Sequence, residues 1–245
     1  MARKRKSRKA AKKRRFRPLA RALRPVLRWG LRLGAVAAFL LLFMVGLYAL
    51  INPPATPYIL TESRRLDGVA REWVPMEKIA PVMARSVVAA EDANYCLHWG
   101  FDVRAIRAAL DEGRGRGAST ISQQAVKNVY LWQGRSWARK ALEALITPLM
   151  EAVWSKRRIL EVYLNVVEFG EGVFGVQAAA KRYFGVAAQD LTPAQAARLA
   201  AVLPDPKGRS ASNPSADLRR RAAAIRVGAA TIRTDGRARC FEELN

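Results

Sequence analysis

At 245 residues and 27.2 kDa the chain has room for one full-sized domain with appendages, and its 51% apolar content, with 6 Trp, 6 Tyr and 8 Phe, excludes wholesale disorder. A net charge of +23 asks for polyanionic neighbours: nucleic acid, anionic lipid or a phosphorylated substrate. Two cysteines, Cys96 and Cys240, do not make a disulfide-rich scaffold, and the single histidine, His98, excludes a multi-histidine zinc site.

Fifteen of the 43 Lys and Arg lie in residues 1–32, which hold no acid. Leu33 to Ile51 follow as nineteen uncharged, mostly apolar residues, about 28 Å as a helix against a hydrocarbon core of roughly 30 Å. This reads as a membrane span, not a cleaved signal: the apolar run is too long and Asn52-Pro53-Pro54 simply ends the helix. The basic block on one side places the N-terminus in the cytoplasm and the remainder outside. A basic tail running straight into a span is a topology signal and lipid anchor, so no nucleic-acid partner is expected. The expected organisation is a basic cytoplasmic tail over 1–32, a transmembrane helix over 33–52, an extended stalk over 53–72 and a catalytic domain over 73–245. Outside the membrane an oxidising compartment permits a Cys96–Cys240 bridge.

Beyond the stalk, apolar residues recur every three or four positions, which predicts helices over 81–92, 103–112, 120–129, 137–154, 156–165, 173–183, 193–203 and 216–232. Ser136 and Thr192 stand where N-caps belong, the latter before Pro193. The glycine run at 113–117 lacks the strand and G-K-[ST] of a nucleotide loop. The fold class is mostly α.

Four polar groups exceed what such a fold needs. Glu91 and Asp92 close a helix where the macrodipole is already negative, and Tyr95, His98 and Gly100 follow around a turn. Gly117, Ala118 and Ser119 lead into a helix whose Thr120, Gln123, Gln124 and Lys127 share one face, with Asn128 beside them, an arrangement suited to an anion. Arg139 and Lys140 oppose the dipole of the helix capped by Ser136; Glu143 one turn on makes them either an i, i+4 ion pair or cations aimed at phosphate. Lys156, Arg157 and Arg158 precede an amphipathic turn in which Ile159, Leu160, Tyr163 and Leu164 read as core, with Glu161 and Asn165 as a polar pair opposite, shaping a cleft.

Taken in order, E-D-x-x-Y-x-x-H-x-G at 91–100, G-A-S-T-I-S-Q-Q at 117–124, R-K-x-x-E at 139–143 and K-x-x-I-L-E-x-Y-L-N at 156–165 resemble the motifs of glycosyltransferase family 51, the peptidoglycan glycosyltransferases. The likeness continues through 166–176 and 203–206 and covers about residues 70–215. Ala118 replaces a common second glycine and Tyr95 a common phenylalanine. With no transpeptidase segment following, the chain resembles the monofunctional biosynthetic members of Gram-negative bacteria.

That resemblance implies a lysozyme-like helical domain that polymerises lipid II by inverting transfer, with lipid II, the growing glycan, membrane lipid and other cell-wall synthesis proteins as partners. It implies Glu91 as general base, with Asp92 setting its ionisation, and Glu143 beside the donor pyrophosphate, either steering a divalent cation (Mg or Mn) or ordering Arg139 and Lys140. Lys127 and Lys156 become phosphate contacts, and Ser119, Thr120, Gln124 and Asn128 orient the donor. Tyr95, His98 and Asn165 join the substrate site, and no organic cofactor is expected. The exposed apolar surface that such an enzyme dips into lipid would include some of Trp132, Trp137 and Trp154. The rivals are a lytic transglycosylase or lysozyme-like hydrolase, which has little use for the group at 139–143, and a non-catalytic cell-wall scaffold.

Overall fold

The computed structural model describes residues 3–111, 117, 119–134 and 136–242, with side chains from Pro25 onward except Val26. Glu112, positions 113–116 of the glycine run, and Ala118 lie outside the described residues. The chain divides into two units, residues 1–47 and 48–245.

Helix α1 (Arg3–Leu50) makes up the described part of the first unit and runs into the second. Its stretch Leu27–Leu50, 24 residues of mean hydropathy 2.4, is long and apolar enough to cross a membrane. It begins before the expected Leu33 because Arg28 and Arg32 interrupt the sequence without interrupting the helix. Arg32 lies 5.3 Å from the Trp29 ring centre, as a long cationic chain does when it reaches along an apolar helix toward water. Leu33, Val36, Phe39, Leu40, Leu42 and Phe43 are all more than half exposed, an apolar surface that a lipid environment suits.

The second unit is mostly helical, as the periodicity predicts. The expected stalk is instead folded. Thr56 caps α2 (Pro57–Arg65) by accepting the Ile59 N–H at 3.3 Å, and Pro57 stands at its first position. Ile59 and Glu62 are buried, and Glu62 pairs with Arg65 at 2.6 Å and Lys207 at 2.9 Å. Strand β1 (Ala70–Arg71) follows. The prolines read as extended chain were the start signal of a helix whose apolar side had a domain to cover.

Next come α3 (Pro81–Glu91), α4 (Val103–Asp111), α5 (Ile121–Tyr130), α6 (Trp137–Val153) and α7 (Lys156–Val166). Ser136 caps α6, accepting the Arg139 N–H at 3.0 Å. Helix α7 is not the amphipathic turn expected: Ile159, Leu160, Val162, Tyr163, Leu164, Asn165 and Val166 are all buried, so the helix is enclosed on nearly every side.

The segment expected to be helical from 173 begins as a strand. Strands β2 (Glu168–Gly170) and β3 (Val173–Phe174) form with β1 a sheet of order β1-β3-β2, β1 parallel and β2 antiparallel to β3. Helix α8 (Val176–Phe184) starts only after Gly175, whose φ of +82° and whose approach to Asn165, where a Cβ would meet the carbonyl oxygen at 2.9 Å, leave room for glycine alone. Helix α9 (Pro193–Val202) carries the predicted Thr192 cap, completed reciprocally by Gln195. Its Ala196, Ala197, Ala200 and Ala201 are buried, small side chains that let α9, α3 and α10 (Ala216–Thr234) pack closely. The short α11 (Arg239–Glu242) ends the described chain, joined to residue 96 through the Cys96–Cys240 disulfide, Cα atoms 5.6 Å apart.

Candidate active site

Glu91 is the last residue of α3 and Asp92 its C-cap. The sequence predicts a cost for two acids at this helix end; the tertiary structure removes it for one of them. Asp92 turns away from α3 and accepts the N–H of Ile121, the first residue of α5, at 3.0 Å, while its other oxygen is 2.8 Å from His98 Nε2. A carboxylate at a helix N-terminus meets unpaired amides and the positive end of the dipole. Asp92 is therefore buried and holds α3, α5 and the intervening turn together, at the edge of the cavity that Glu91 also lines.

Glu91 is free of such duties. Its side chain is 13% exposed; Oε2 accepts from Gln124 Nε2 at 3.1 Å, and Oε1 lies 3.6 Å from Arg221 Nη2 with no hydrogen bond. Burial pushes its carboxyl above the usual range and neighbouring Asp92 adds to this, against the opposing pull of the Gln124 hydrogen bond, Arg221 and Lys127. Tyr163, buried and held well above the ordinary phenol range by that burial, keeps its proton and donates it to Gln124 Oε1 at 2.9 Å. This orients the Gln124 amide so that its NH₂ meets Glu91. The result is a carboxylate whose Oε2 is held by Gln124 and whose buried Oε1, beside Arg221, has no hydrogen bond, with a raised proton affinity, as a general base requires.

The second acid, Glu143, is 3% exposed and sits in α6 between two cations. Arg139 Nη1 reaches Oε2 at 2.8 Å, and Lys140 Nζ contacts Oε1. Lys140 also donates to Ser119 Oγ at 3.1 Å. The sequence offered an ion pair or a phosphate site as alternatives; the ion pairs are present, and they hold two cations in place on the same side as Ser119.

Ser119 and Glu91 both line one cavity of about 440 Å³, together with Asn94, Asp102, Arg104 and Thr120. Gln124, Lys127 and Asn128 line a second of about 280 Å³ with Gln133, Glu168 and Lys207. Lys127 links the acids: burial lowers its ammonium's proton affinity, the charges of Arg139 and Lys140 lower it further, and Glu143 and Glu91 oppose this. The groups near 91 and near 140 thus act on one side chain. A larger cavity, about 680 Å³, is bounded by Met76, Pro81, Arg85, Arg157 and Phe241 and touches neither acid.

Several residues expected to contact substrate are engaged in holding the surroundings. Tyr95 is fully buried and donates to Lys156 O at 2.8 Å. Lys156 lies 4.5 Å from the centre of that ring and pairs with Glu151 at 2.7 Å, so its charge is already neutralised away from the cavities. Thr120 caps α5, exchanging hydrogen bonds with Gln123, and donates to Gly100 O at 2.7 Å. Gly100 has φ +84°, and a Cβ there would stand 2.7 Å from Thr147, which is why the turn carries glycine. Asn165 is fully buried, bonded to both backbone groups of Val74 and to Glu161 O, each at 2.9 Å. Its amide is saturated and shapes no open cleft.

Two residues escaped the sequence reading. Arg221 reaches Glu91 from α10, 130 positions away; within the run Arg219-Arg220-Arg221 nothing local distinguishes it. Asp102 lines the Glu91 cavity, accepts the Ala105 N–H at 2.9 Å and receives Asn94 Nδ2 at 2.8 Å. An aspartate immediately before a helical run was a cap signal that could have found it.

The Transglycosylase family model matches residues 59–228. The biosynthetic peptidoglycan transglycosylase of Jannaschia sp. (strain CCS1) is 60% identical over 228 residues, covering 93% of this chain and 94% of that protein. The protein of the same name in Rhodospirillum centenum (strain ATCC 51521 / SW) is 46% identical over 218 residues, covering 86% and 94%, and that of Shigella sonnei (strain Ss046) is 50% identical over 212, covering 78% and 88%. With these likenesses extending through both acids and the cations around them, the chain belongs to the transglycosylase family, among its biosynthetic peptidoglycan members.

Proposed function

We propose that this enzyme polymerises lipid II into β-1,4 glycan strands, with Glu91 as general base and the cations near Glu143 receiving the leaving group. Glu91, which lines the cavity of about 440 Å³, takes the proton of the acceptor's GlcNAc 4-hydroxyl on its carboxylate. The oxygen attacks the donor's anomeric carbon from the face opposite the leaving group, the carbon–oxygen bond to the pyrophosphate breaks, and undecaprenyl pyrophosphate departs with the electron pair. Arg139, Lys140 and Lys127 stabilise its growing negative charge, while Ser119, Gln124 and Asn128 orient the donor. The observation that carries this reading is Glu91 itself, mostly buried at the edge of a cavity, with one oxygen that makes no hydrogen bond.

For Glu143 the ion pairs favour ordering Arg139 and Lys140 over ligating a metal, since both its oxygens are engaged. Among the described residues no group of three or more His, Cys, Asp or Glu is placed to hold a metal ion. No step here runs through a metal ion.

The anchoring helix confines the enzyme to the membrane that holds its polyprenyl-linked substrate, raising the effective concentration of each for the other. The basic tail argues for a cytoplasmic N-terminus and a periplasmic catalytic domain in the inner membrane. Trp137 is 91% exposed and shares α6 with exposed Leu145, Leu149 and Val153, and Trp132 is exposed as well, a surface suited to the bilayer; Trp154 is buried and belongs to the core. The test of the whole reading is Glu91→Gln in detergent-solubilised enzyme with labelled lipid II: turnover should fall about 10²- to 10⁴-fold, the usual share of a general base, and near-native strand formation would refute it.

A further inference from the structure

The family match ends at residue 228, yet the chain beyond it reaches back to the turn that follows Glu91. We propose that residues 235–242 are a positioning clasp, closed by the Cys96–Cys240 disulfide, that holds Glu91 in its working place. This rests on the reading of Glu91 as base.

The contacts concentrate on one short stretch. Arg221 Nη2 reaches Ala90 O at 3.5 Å, and Arg237 Nη1 donates to Ala93 O at 2.9 Å. Two arginines from the C-terminal part of the chain thus grip the carbonyls on either side of the Glu91-Asp92 pair. Arg237 is itself preset, its Nε donating to Asp235 Oδ2 at 2.8 Å. Three residues further on, Cys240 is bonded to Cys96. Phe241 is fully buried, its ring centre 6.3 Å from that of Tyr95, and its carbonyl accepts from Arg157 Nη1 at 2.8 Å. Glu242 pairs with Arg85 of α3 at 2.5 Å.

This stretch needs outside support. Residues 92–102 contain a single 3-10 turn, Tyr95–Leu97, and Glu91 stands at a helix end held by one hydrogen bond. Helix ends fray unless their groups find partners. Residues 93, 95 and 96 find theirs in the clasp, and a displacement of about 1 Å at a reacting group suffices for a 10²-fold loss of rate.

The experiment compares the full-length enzyme with the double variant Cys96→Ala, Cys240→Ala and, keeping the disulfide, with Arg237→Ala. Steady-state kinetics on lipid II are measured across pH. Both variants should remain folded and lose about 10- to 100-fold in kcat with KM within about twofold, because positioning and not binding is lost. The acidic limb should move down, since a loosened turn admits water to Glu91 and relieves the burial that favours its neutral form. The charged and titratable groups facing Glu91 are Lys127 of α5, Arg221 of α10, Tyr163 of α7 and Asp92; none lies in the clasp. Loss of the Arg237 cation alone would move the limb upward, so a downward shift reports solvation. Arg237→Lys should restore part of the rate. Native kcat in both variants, or a fall in kcat with an unmoved limb, would overturn the clasp. Full turnover by Glu91→Gln would instead overturn the base assignment, which keeps the two failures apart.

Discussion

Asp92 Oδ2 accepts the backbone N–H of Ile121 at 3.0 Å, so the carboxylate next to the proposed base caps the helix that carries Gln124 and Lys127. One acid at the end of α3 holds the site together while its neighbour keeps one oxygen without a hydrogen bond. The same bond fixes how far α5 stands from Glu91, and with it the Gln124 contact.

Replacing Asp92 by Ala strands the Ile121 N–H and leaves His98 Nε2 without its partner. Unfolding should become easier by about 1–3 kcal/mol, the usual result of leaving a buried polar group unpaired. Thermal or urea unfolding of the purified protein measures this, and an unchanged midpoint would exclude the capping role.

Gln124 stabilises the charged form of Glu91, opposing the burial that raises its pKa. Gln124→Leu removes that donor and should carry the acidic limb of the rate profile to higher pH. A limb that stays in place would mean that Gln124 is not bonded to the base during turnover.

Because the proton affinity of folded Glu91 is raised, the native state holds this proton more tightly than the unfolded chain does. The ionised group therefore destabilises the fold, with stability falling as pH climbs from the ordinary carboxylate range through the raised value. Glu91→Gln should consequently be more stable than the native protein at neutral pH, with the gap closing as pH drops below the ordinary range. Parallel melting curves across pH decide this; equal midpoints at neutral pH would contradict the burial argument.

Arg139 is held by Glu143 and by Gly134 O, both at 2.8 Å. Arg139→Ala should weaken binding of a lipid-pyrophosphate glycan about 10-fold, the value of one charge-assisted hydrogen bond of roughly 1.5 kcal/mol. Fluorescence anisotropy with a labelled donor provides the measurement, and unchanged affinity would remove Arg139 from the leaving-group site.

The helices of this chain, with the Ser136 and Thr192 caps, were readable from three- and four-residue spacing and cap residues because those signals act within one turn of backbone. The order of the four motifs was likewise enough to place the chain among peptidoglycan glycosyltransferases. What local spacing does not encode is direction. Asp92, Tyr95, Lys156 and Asn165 read as site residues, and only packing with partners 29, 61, 5 and 91 positions away shows them bound into the structure. Arg221 was hidden for the same reason, whereas α2 carried a local start signal in Thr56-Pro57 that the neighbouring prolines masked. A side chain's role is set by which neighbour satisfies its charge or hydrogen bonds, and that neighbour is chosen by the fold of the whole domain.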